Sequence, residues 1–289
     1  MFDTNDGILE ETIAIAEDIL GADFGRLNVD RIVVGIFFTG VKLTDGSTGS
    51  CATPLGDLET AMCCAPPSLV NRTSPRLAGQ PARLLARAAL GSPGLARAIG
   101  IATVNALAQA SWNRRPDPAV ELKPGVDAFD ATLINPGERV VLVGAFVPFL
   151  KELKRRAQPY LVLERNPSLL KPEEMPYFRP AEDAASVLRD AEVVLITGSA
   201  LVNNTLDSLL RVVPSSARVT VVGPTVGMLP GPLLKRGVDV LGCMRIKDPE
   251  SFLDMLGEAA APQQFLAGPA EKLALVRRSA TTAPITASA

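Results

Sequence analysis

The sequence of 289 residues contains no histidine, and this absence excludes several kinds of active site. A serine or cysteine nucleophile activated by an imidazole base is excluded. Metal sites built on imidazole are excluded as well, including the two-histidine metalloprotease helix, the facial-triad iron site and the haem with a proximal histidine. Any general acid or base must therefore be Asp, Glu, Lys, Tyr or Cys.

Aromatic residues and excess charge are also scarce. Aromatics make up 4% of the chain, so a surface that stacks nucleic-acid bases is not expected. The 29 basic and 31 acidic residues leave a net charge of −2, which gives no electrostatic reason to bind nucleic acid or an anionic membrane. We therefore expect neither of these two partners.

Three further features predict a cytoplasmic protein with reduced thiols. No apolar run is long enough to span a membrane. The first residues, MFDTNDGILEE, are acidic and polar, unlike a secretory signal. Four cysteines in a chain of this length do not form a disulfide scaffold.

The length and a change of sequence texture predict two domains, of which the first covers residues 1–115. This part combines a helix, a β-meander and two Ala-rich helices, which defines an α+β domain. The predicted elements are a helix over Ile8–Leu20, a strand over Arg31–Leu43, a turn at Thr44–Ser47, a short strand that ends at Thr53, and helices over Pro81–Leu90 and Gly94–Ala110. The polar, Pro-rich stretch Trp112–Pro124 predicts a linker.

Residues 116–278 alternate strands with helices and predict a Rossmann-like α/β domain with a mainly parallel sheet. The strands are continuous β-branched runs such as VVLV and VVLI, which suit burial on both faces. They cover Arg139–Val143, Tyr160–Leu163, Glu192–Ile196, Arg218–Val222 and Val238–Leu241. Residues 279–289 are small and polar, and they predict a disordered tail.

Open parallel sheets bind ligands at the carboxyl ends of their strands, so the loops there are the candidate sites. The loop after the third of these strands is rich in hydrogen-bonding groups, and an asparagine could cap the helix that follows it. Its candidate residues are Thr197, Gly198, Ser199, Asn203, Asn204 and Thr205. This pattern suits an anion such as a carboxylate or phosphate, although turn and capping roles explain the same residues.

Three other loops contribute candidates. The first contains Gly144 and Phe146 and lacks the G-x-G-x-x-G pattern, so dinucleotide binding is weakly supported. Glu164 follows Gly144 by 164 − 144 = 20 residues, where nucleotide-binding sheets place the acid that holds ribose. A solvated carboxylate is the alternative. The loop after the fourth strand, Gly223, Pro224 and Thr225, would form a neighbouring wall or simply a tight turn.

Cys63 and Cys64 are the candidate metal ligands, because thiolates bind soft metals. Cys51 lies 12 residues before Cys63 and could join them. The pair does not have C-x-x-C spacing, and adjacent side chains rarely bind one ion with good geometry. The alternative is that these cysteines are small, half-buried apolar residues.

Two groups of sequence stretches resemble a family usually labelled heavy-metal chelation proteins. TGVKLTDGSTGSCAT and LAGQPARLLARAALGSPGLARAIGIATVNAL resemble its N-terminal part. NPGERVVLVGAFVPFL, ITGSALVNNTLDSLL and GPTVGMLPGPLLKRGVDVLG resemble its C-terminal part. The resemblance implies a domain similar to the enolase N-terminal domain, a Rossmann-like domain and a site in the crevice between them. By position it carries over the strand-end residues named above except Glu164, and implies that the Cys63–Cys64 loop lies over the crevice.

Three functions agree with these patterns. The first is a metal-homeostasis protein that binds a metal complex or small anionic ligand, which suits a chain without imidazole. The second is an enzyme with an adenine nucleotide or nucleoside cofactor, held by Glu164, that acts on a small acid or amine. The third is a non-catalytic partner of a metal transport or metalloenzyme maturation system. A cofactor, if present, would be a transition metal, a metal chelate or an adenine nucleoside, and a homodimer is compatible with the sequence.

Overall fold

A computed structural model describes residues 7–54 and 76–278, and it contains two β-sheets flanked by helices. A three-stranded antiparallel sheet belongs to the first part of the chain, and an eight-stranded, mainly parallel sheet belongs to the second. In the described part of the chain, no helix has the length and hydrophobicity needed to cross a membrane.

The first part contains a helix, a β-meander and two further helices, as the sequence predicts. Its elements are α1 (Gly7–Leu20), β1 (Val29–Val34), β2 (Phe38–Leu43), β3 (Thr48–Ala52), α2 (Ala82–Ala86) and α3 (Leu95–Arg114). The single strand predicted over Arg31–Leu43 is wrong, because a tight turn divides it into β1 and β2. The turn is closed by a 3.0 Å hydrogen bond from Gly35 N to the Phe38 carbonyl.

The second part contains the large sheet and its helices. The strands are β4 (Val120–Pro124), β5 (Val140–Val143), β6 (Tyr160–Glu164), β7 (Phe178–Pro180), β8 (Val193–Thr197), β9 (Arg218–Val222), β10 (Val240–Ile246) and β11 (Ala270–Arg277). The helices are α4 (Ala128–Ala131), α5 (Val147–Arg155), α6 (Ala184–Leu188), α7 (Ser199–Val202), α8 (Leu206–Val212), α9 (Gly231–Lys235), α10 (Pro249–Gly257) and α11 (Pro262–Leu266).

The order of strands in the large sheet is β4-β11-β10-β9-β8-β5-β6-β7. From β10 to β7 all neighbours are parallel, whereas β11 and β4 are antiparallel additions at one edge. The chain moves from β5 to β6 on one side and later returns to β8 on the other. The strand order therefore reverses between β5 and β8, and such a reversal opens a crevice at the carboxyl ends of the strands.

The linker predicted over Trp112–Pro124 is wrong. Helix α3 continues to Arg114, and Val120–Pro124 forms strand β4, which pairs with β11 so that Leu122 lies opposite Leu275. Pro124 occupies the end of an edge strand, where a missing backbone N–H costs no ladder hydrogen bond. A proline-rich segment can therefore form a strand at this position.

Helix α3 joins the two parts. Most of its residues are buried, including Ile101, Val104 and Leu107, which belong to a continuous hydrophobic cluster with Val221 and Leu275 of the large sheet. The low amphipathicity of this Ala-rich helix is explained by its burial on nearly all sides. The two parts consequently share one core among the described residues, and α3 fixes how the small sheet lies on the large one.

Candidate ligand-binding cleft

A cleft of about 620 Å³ opens at the carboxyl ends of β5, β6 and β8, and we call it the strand-end cleft. Its walls are the loop that follows β5, the end of β6, and helices α7 and α8. It lies where the strand order reverses, and its volume is within the range of about 300–1,000 Å³ that small-molecule sites occupy. The described lining residues all lie between Val143 and Leu209, so they belong to the second part of the chain alone, whereas the resemblance implied a site in the crevice between the two parts.

Gly144 shapes the floor of this cleft. Its φ of +91° is a conformation that residues with a Cβ avoid. A Cβ at this position would also lie 1.9 Å from Cγ2 of Thr197. The glycine therefore allows the loop after β5 to touch the end of β8, which brings two of the candidate loops into direct contact.

The Glu164 carboxylate holds two strand ends together. Its Oε2 accepts a hydrogen bond of 2.7 Å from Ala145 N, and its Oε1 accepts bonds from Arg165 N at 2.7 Å and Asn166 N at 3.0 Å. Glu164 therefore lines the cleft as a fixed acceptor, and any ligand hydroxyl must share it with these N–H groups.

The Thr197–Thr205 loop forms the most polar wall. Thr197 Oγ1 accepts a 3.1 Å hydrogen bond from Ser199 N, and the side chains of Ser199 and Asn203 are exposed in the cleft. The prediction that Asn203 or Asn204 caps the next helix is wrong, since Thr205 directly precedes α8. A four-residue helix, α7, occupies the space between, so Asn203 ends that helix instead.

The remaining walls combine apolar and charged groups that, apart from Phe146, the sequence did not single out. Leu169, Leu209 and Phe146 give apolar surface, and Phe146 packs edge-on against Phe149 with ring centroids 4.9 Å apart. Arg165, Glu182 and Ser208 also line the cleft. Arg165 and Glu182 follow strand ends, which does not distinguish a lining residue from a solvated one, and Ser208 lies within α8, where no sequence signal marks it.

Five of the predicted residues lie outside the cleft lining. Gly198 N donates to the Val222 carbonyl at 2.7 Å, and Asn204 Oδ1 accepts from Arg97.

The turn formed by Gly223, Pro224 and Thr225 lies under the small sheet. Thr225 is 2% exposed, its Oγ1 accepts a 3.0 Å bond from Ala52 N, and its carbonyl accepts from Asn105. The Pro224 carbonyl accepts from Ser50 Oγ at 3.2 Å. These contacts join β3 and α3 to the turn after β9.

Arg97, which the sequence did not single out, is hydrogen-bonded to α7, one wall of the strand-end cleft. Its side chain is 1% exposed, yet Nε and Nη2 both donate to the Leu201 carbonyl, at 3.1 and 2.8 Å. Nη1 donates to the Gly91 carbonyl at 2.8 Å. The detectable signal was the one arginine in the otherwise uncharged predicted helix Gly94–Ala110, because a charge is buried only where partners satisfy it. Arg97 thus fixes α7 against α3.

The candidate metal ligands Cys63 and Cys64 lie outside the described residues. Burial raises the pKa of the Cys51 thiol and of the Cys243 thiol to about 12, so both remain protonated at neutral pH. Within residues 7–54 and 76–278, no group of three or more Cys, Asp or Glu side chains is arranged to hold a metal ion.

Comparison with known sequences identifies the class of protein that this fold represents. The profile of a family described as "Putative heavy-metal chelation" matches residues 127–275, and a second profile with the same description matches residues 17–108. The chain belongs to this family. The predicted resemblance is therefore confirmed for both parts of the chain.

One curated relative and two solved structures are similar to this chain. An uncharacterised protein of Methanocaldococcus jannaschii is 28% identical over 173 residues, which cover 58% of this chain and only 62% of that relative. A protein of unknown function from the DUF364 family of Pyrococcus horikoshii has a TM-score of 0.67 and 21% identity, covering 93% of this chain and 97% of that one. Its counterpart from Desulfitobacterium hafniense has a TM-score of 0.66 and 19% identity, covering 93% and 99%. At these identities the structural similarity shows the fold alone.

Proposed function

We propose that this protein binds a metal complex, or a small organic anion, in the strand-end cleft. The observation that carries the proposal is the wall formed by Thr197, Ser199, Asn203 and Thr205, which presents hydroxyl and amide groups beside apolar surface. Such a combination is typical of sites for small organic ligands. Arg165 adds a positive charge at the same cleft, and the backbone N–H groups bound to Glu164 reduce its repulsion of an anion.

A metal would enter this site as cargo already held by an organic ligand. The family description concerns heavy-metal chelation, and the chain has no histidine. The strand-end cleft offers oxygen and amide groups, which suit the outer oxygens of a chelate better than a soft ion directly. The proposal therefore assigns recognition to the organic part of the complex.

Calorimetric titration with ferric citrate, nickel citrate and metal-free citrate tests this function. A Ser199→Ala/Asn203→Ala variant removes two ligand-facing groups, and Ser215→Ala/Ser216→Ala on an exposed turn is the control. A hydrogen bond is worth about 1 kcal/mol and 1.4 kcal/mol is tenfold in affinity, so we expect a loss of about tenfold or more in the first variant. Affinity that is equal in all three proteins, or no binding of any probe, would contradict the proposal.

The position of Glu164 favours a nucleoside cofactor as a second candidate. The residue ends the strand next to β5, with its carboxylate beside the Gly144 turn, as in sheets that hold ribose hydroxyls. Titration with adenosine, AMP and NAD should then show binding that Glu164→Gln weakens. If no adenine compound gives heat of binding, this candidate is removed. If no small ligand raises the thermal stability of the protein, the third function, a non-catalytic partner of a metal transport or metalloenzyme maturation system, is favoured.

We also infer that the two parts, which share one core, are domains of Rossmann-like type (the second part) and enolase N-terminal-like type (the first part), with boundaries at residues 115 and 278. The strand order from β7 to β10 supports the first assignment, because in chain order it is 3-2-1-4-5-6. The helix, meander and helices of the first part support the second. Superposition of an experimental structure on enolase N-terminal domains would test it, and a different strand connection there would refute it.

A further inference from the structure

A second cleft, of about 340 Å³, lies between the two parts of the chain, and we call it the interface cleft. One wall is the C-terminal half of α3, with Asn105 and Trp112. The other wall is formed by the end of β10 and by Leu122 of β4. It shares no lining residue with the strand-end cleft. It is therefore independent of the site assigned above.

Asn105 lines the interface cleft and carries a buried acceptor without a partner. Asn105 is 2% exposed, and its Nδ2 donates at 2.8 Å both to the Ser50 carbonyl and to the Thr225 carbonyl. These two acceptors fix the orientation of the amide, because a carbonyl oxygen could not occupy the place of Nδ2. Among the described residues, no group donates a hydrogen bond to Asn105 Oδ1. Buried polar groups nearly always have a partner, so this oxygen indicates a missing donor.

The charges around the interface cleft select against ions. Arg245 is its only charged lining residue among those described, and it forms an ion pair with Glu271 on the neighbouring strand. Cys243 also lines the cleft, and the pKa of its buried thiol is raised to about 12, so it presents a neutral group. A charged ligand would lose hydration without gaining a free counter-charge here.

The remaining surface suits a flat ring. Trp112 and Met244 line the cleft, and both indole and thioether groups make favourable contacts with aromatic rings. Leu122, Leu229 and Leu273 add apolar surface around them. The volume is large enough for one small heteroaromatic molecule, since small-molecule sites begin at about 300 Å³.

We propose that the interface cleft binds an uncharged heteroaromatic molecule that donates a hydrogen bond from an N–H group to Asn105 Oδ1. The N–H donor satisfies the unpaired amide oxygen, and the ring occupies the space between Trp112 and the end of β10. This ligand is distinct from the metal complex or anion of the strand-end cleft.

Binding of nicotinamide, uracil and adenine to the full chain tests the proposal, with nicotinate and the N-methylated counterparts of the three compounds as matched probes. Leu122→Trp narrows the interface cleft without touching the Asn105 amide. Leu133→Trp makes the same change at a residue that is 75% exposed, and serves as the control. Thermal shift and crystals soaked with the best probe are the readouts.

We expect saturable binding of at least one neutral probe, weaker by about tenfold or more for its N-methylated form, since a lost donor leaves a buried acceptor unpaired. Binding should be lost in Leu122→Trp and kept in Leu133→Trp and in Ser199→Ala/Asn203→Ala. The proposal is overturned if none of the neutral probes binds, if Leu122→Trp binds as well as the control, or if Asn105 Oδ1 holds only a water molecule at saturating probe.

Discussion

The loops after β8 and β9 lie side by side at the carboxyl ends of neighbouring strands, and each combines a glycine with at least one hydroxyl side chain, in TGS and GPT, but their environments differ. The first forms a wall of the open strand-end cleft, and Ser199 is exposed in it. The second is covered by β3 and α3, and Thr225 is almost fully buried. A polar loop at a strand end therefore indicates a position on the sheet, whereas its role depends on what packs over it.

Replacing Arg97 should give the largest effect, because Arg97 joins helix α3 to the segment after β8 through the Leu201 carbonyl. Replacing it by Met removes the charged donor to the Leu201 and Gly91 carbonyls, and because a hydrogen bond to a charged group contributes about 1.5–3 kcal/mol, the two together contribute about 3–6 kcal/mol. We expect a fall of that size in the free energy of unfolding, measured with urea. Arg115→Met, at an exposed ion pair with Asp18, should cost less than about 1 kcal/mol. Equal losses in both variants would show that Arg97 has no special role.

Gly144→Ala should come next. The residue combines a φ of +91° with a Cβ position 1.9 Å from Thr197 Cγ2. We expect a loss of about 2–4 kcal/mol, since backbone strain and overpacking each cost about 1–3 kcal/mol. Gly137→Ala has a similar φ of +85° but open space around its Cβ, so it measures the backbone cost alone. If urea unfolding gives the same loss for both, the contact between the two loops is unimportant.

The two threonines compare the loops directly. Thr225→Val removes the acceptor of Ala52 N at a buried position and should cost about 1–3 kcal/mol in unfolding experiments. Thr197→Val removes a half-buried acceptor of Ser199 N, so we expect a smaller loss of stability but weaker binding of the chelate probe. The reverse ranking of the two stability losses would contradict the distinction between an open and a covered loop.

The smallest effect concerns pH. Burial raises the pKa of the Cys51 thiol from 9.0 to about 12, so above pH 9 the unfolded chain loses this proton while the folded chain keeps it. Stability should therefore fall as pH rises from about 9 toward 12, because the folded state then binds more protons. Urea unfolding between pH 8 and 10 checks this, and Cys51→Ala should reduce the slope. A slope unchanged by the substitution would indicate an accessible thiol.

The sequence predicted the main strands of the large sheet well, because β-branched runs such as Val193–Thr197 are recognisable without knowledge of the fold. It predicted neither β4, β7 nor β11. The edge strands β4 and β7 are short and contain proline, and β11, which lies between β4 and β10, contains charged residues. The pairing of all three is decided by neighbours distant in sequence. Turn residues were also informative, since Asp45 accepts hydrogen bonds from the backbone N–H and hydroxyl of Ser47.

The candidate site was predicted in part. Seven of the predicted residues line one cleft, namely Gly144, Phe146, Glu164, Thr197, Ser199, Asn203 and Thr205. That they bind a ligand stays a prediction. The burial of Thr225 and the role of Asn204 as a partner of Arg97 could not be predicted, because both depend on how α3 and β3 pack over the sheet edge. These contacts join residues that are 173 and 107 positions apart, which no local pattern records.

The most direct test of the central claim is a crystal structure of the full chain grown with saturating ferric citrate. We expect electron density for the complex in the strand-end cleft, with its citrate oxygens within hydrogen-bond distance of Ser199 or Asn203 and an anomalous signal from iron beside it. Density for the complex only at another place on the protein, or a strand-end cleft that contains only water at saturation, would contradict the account.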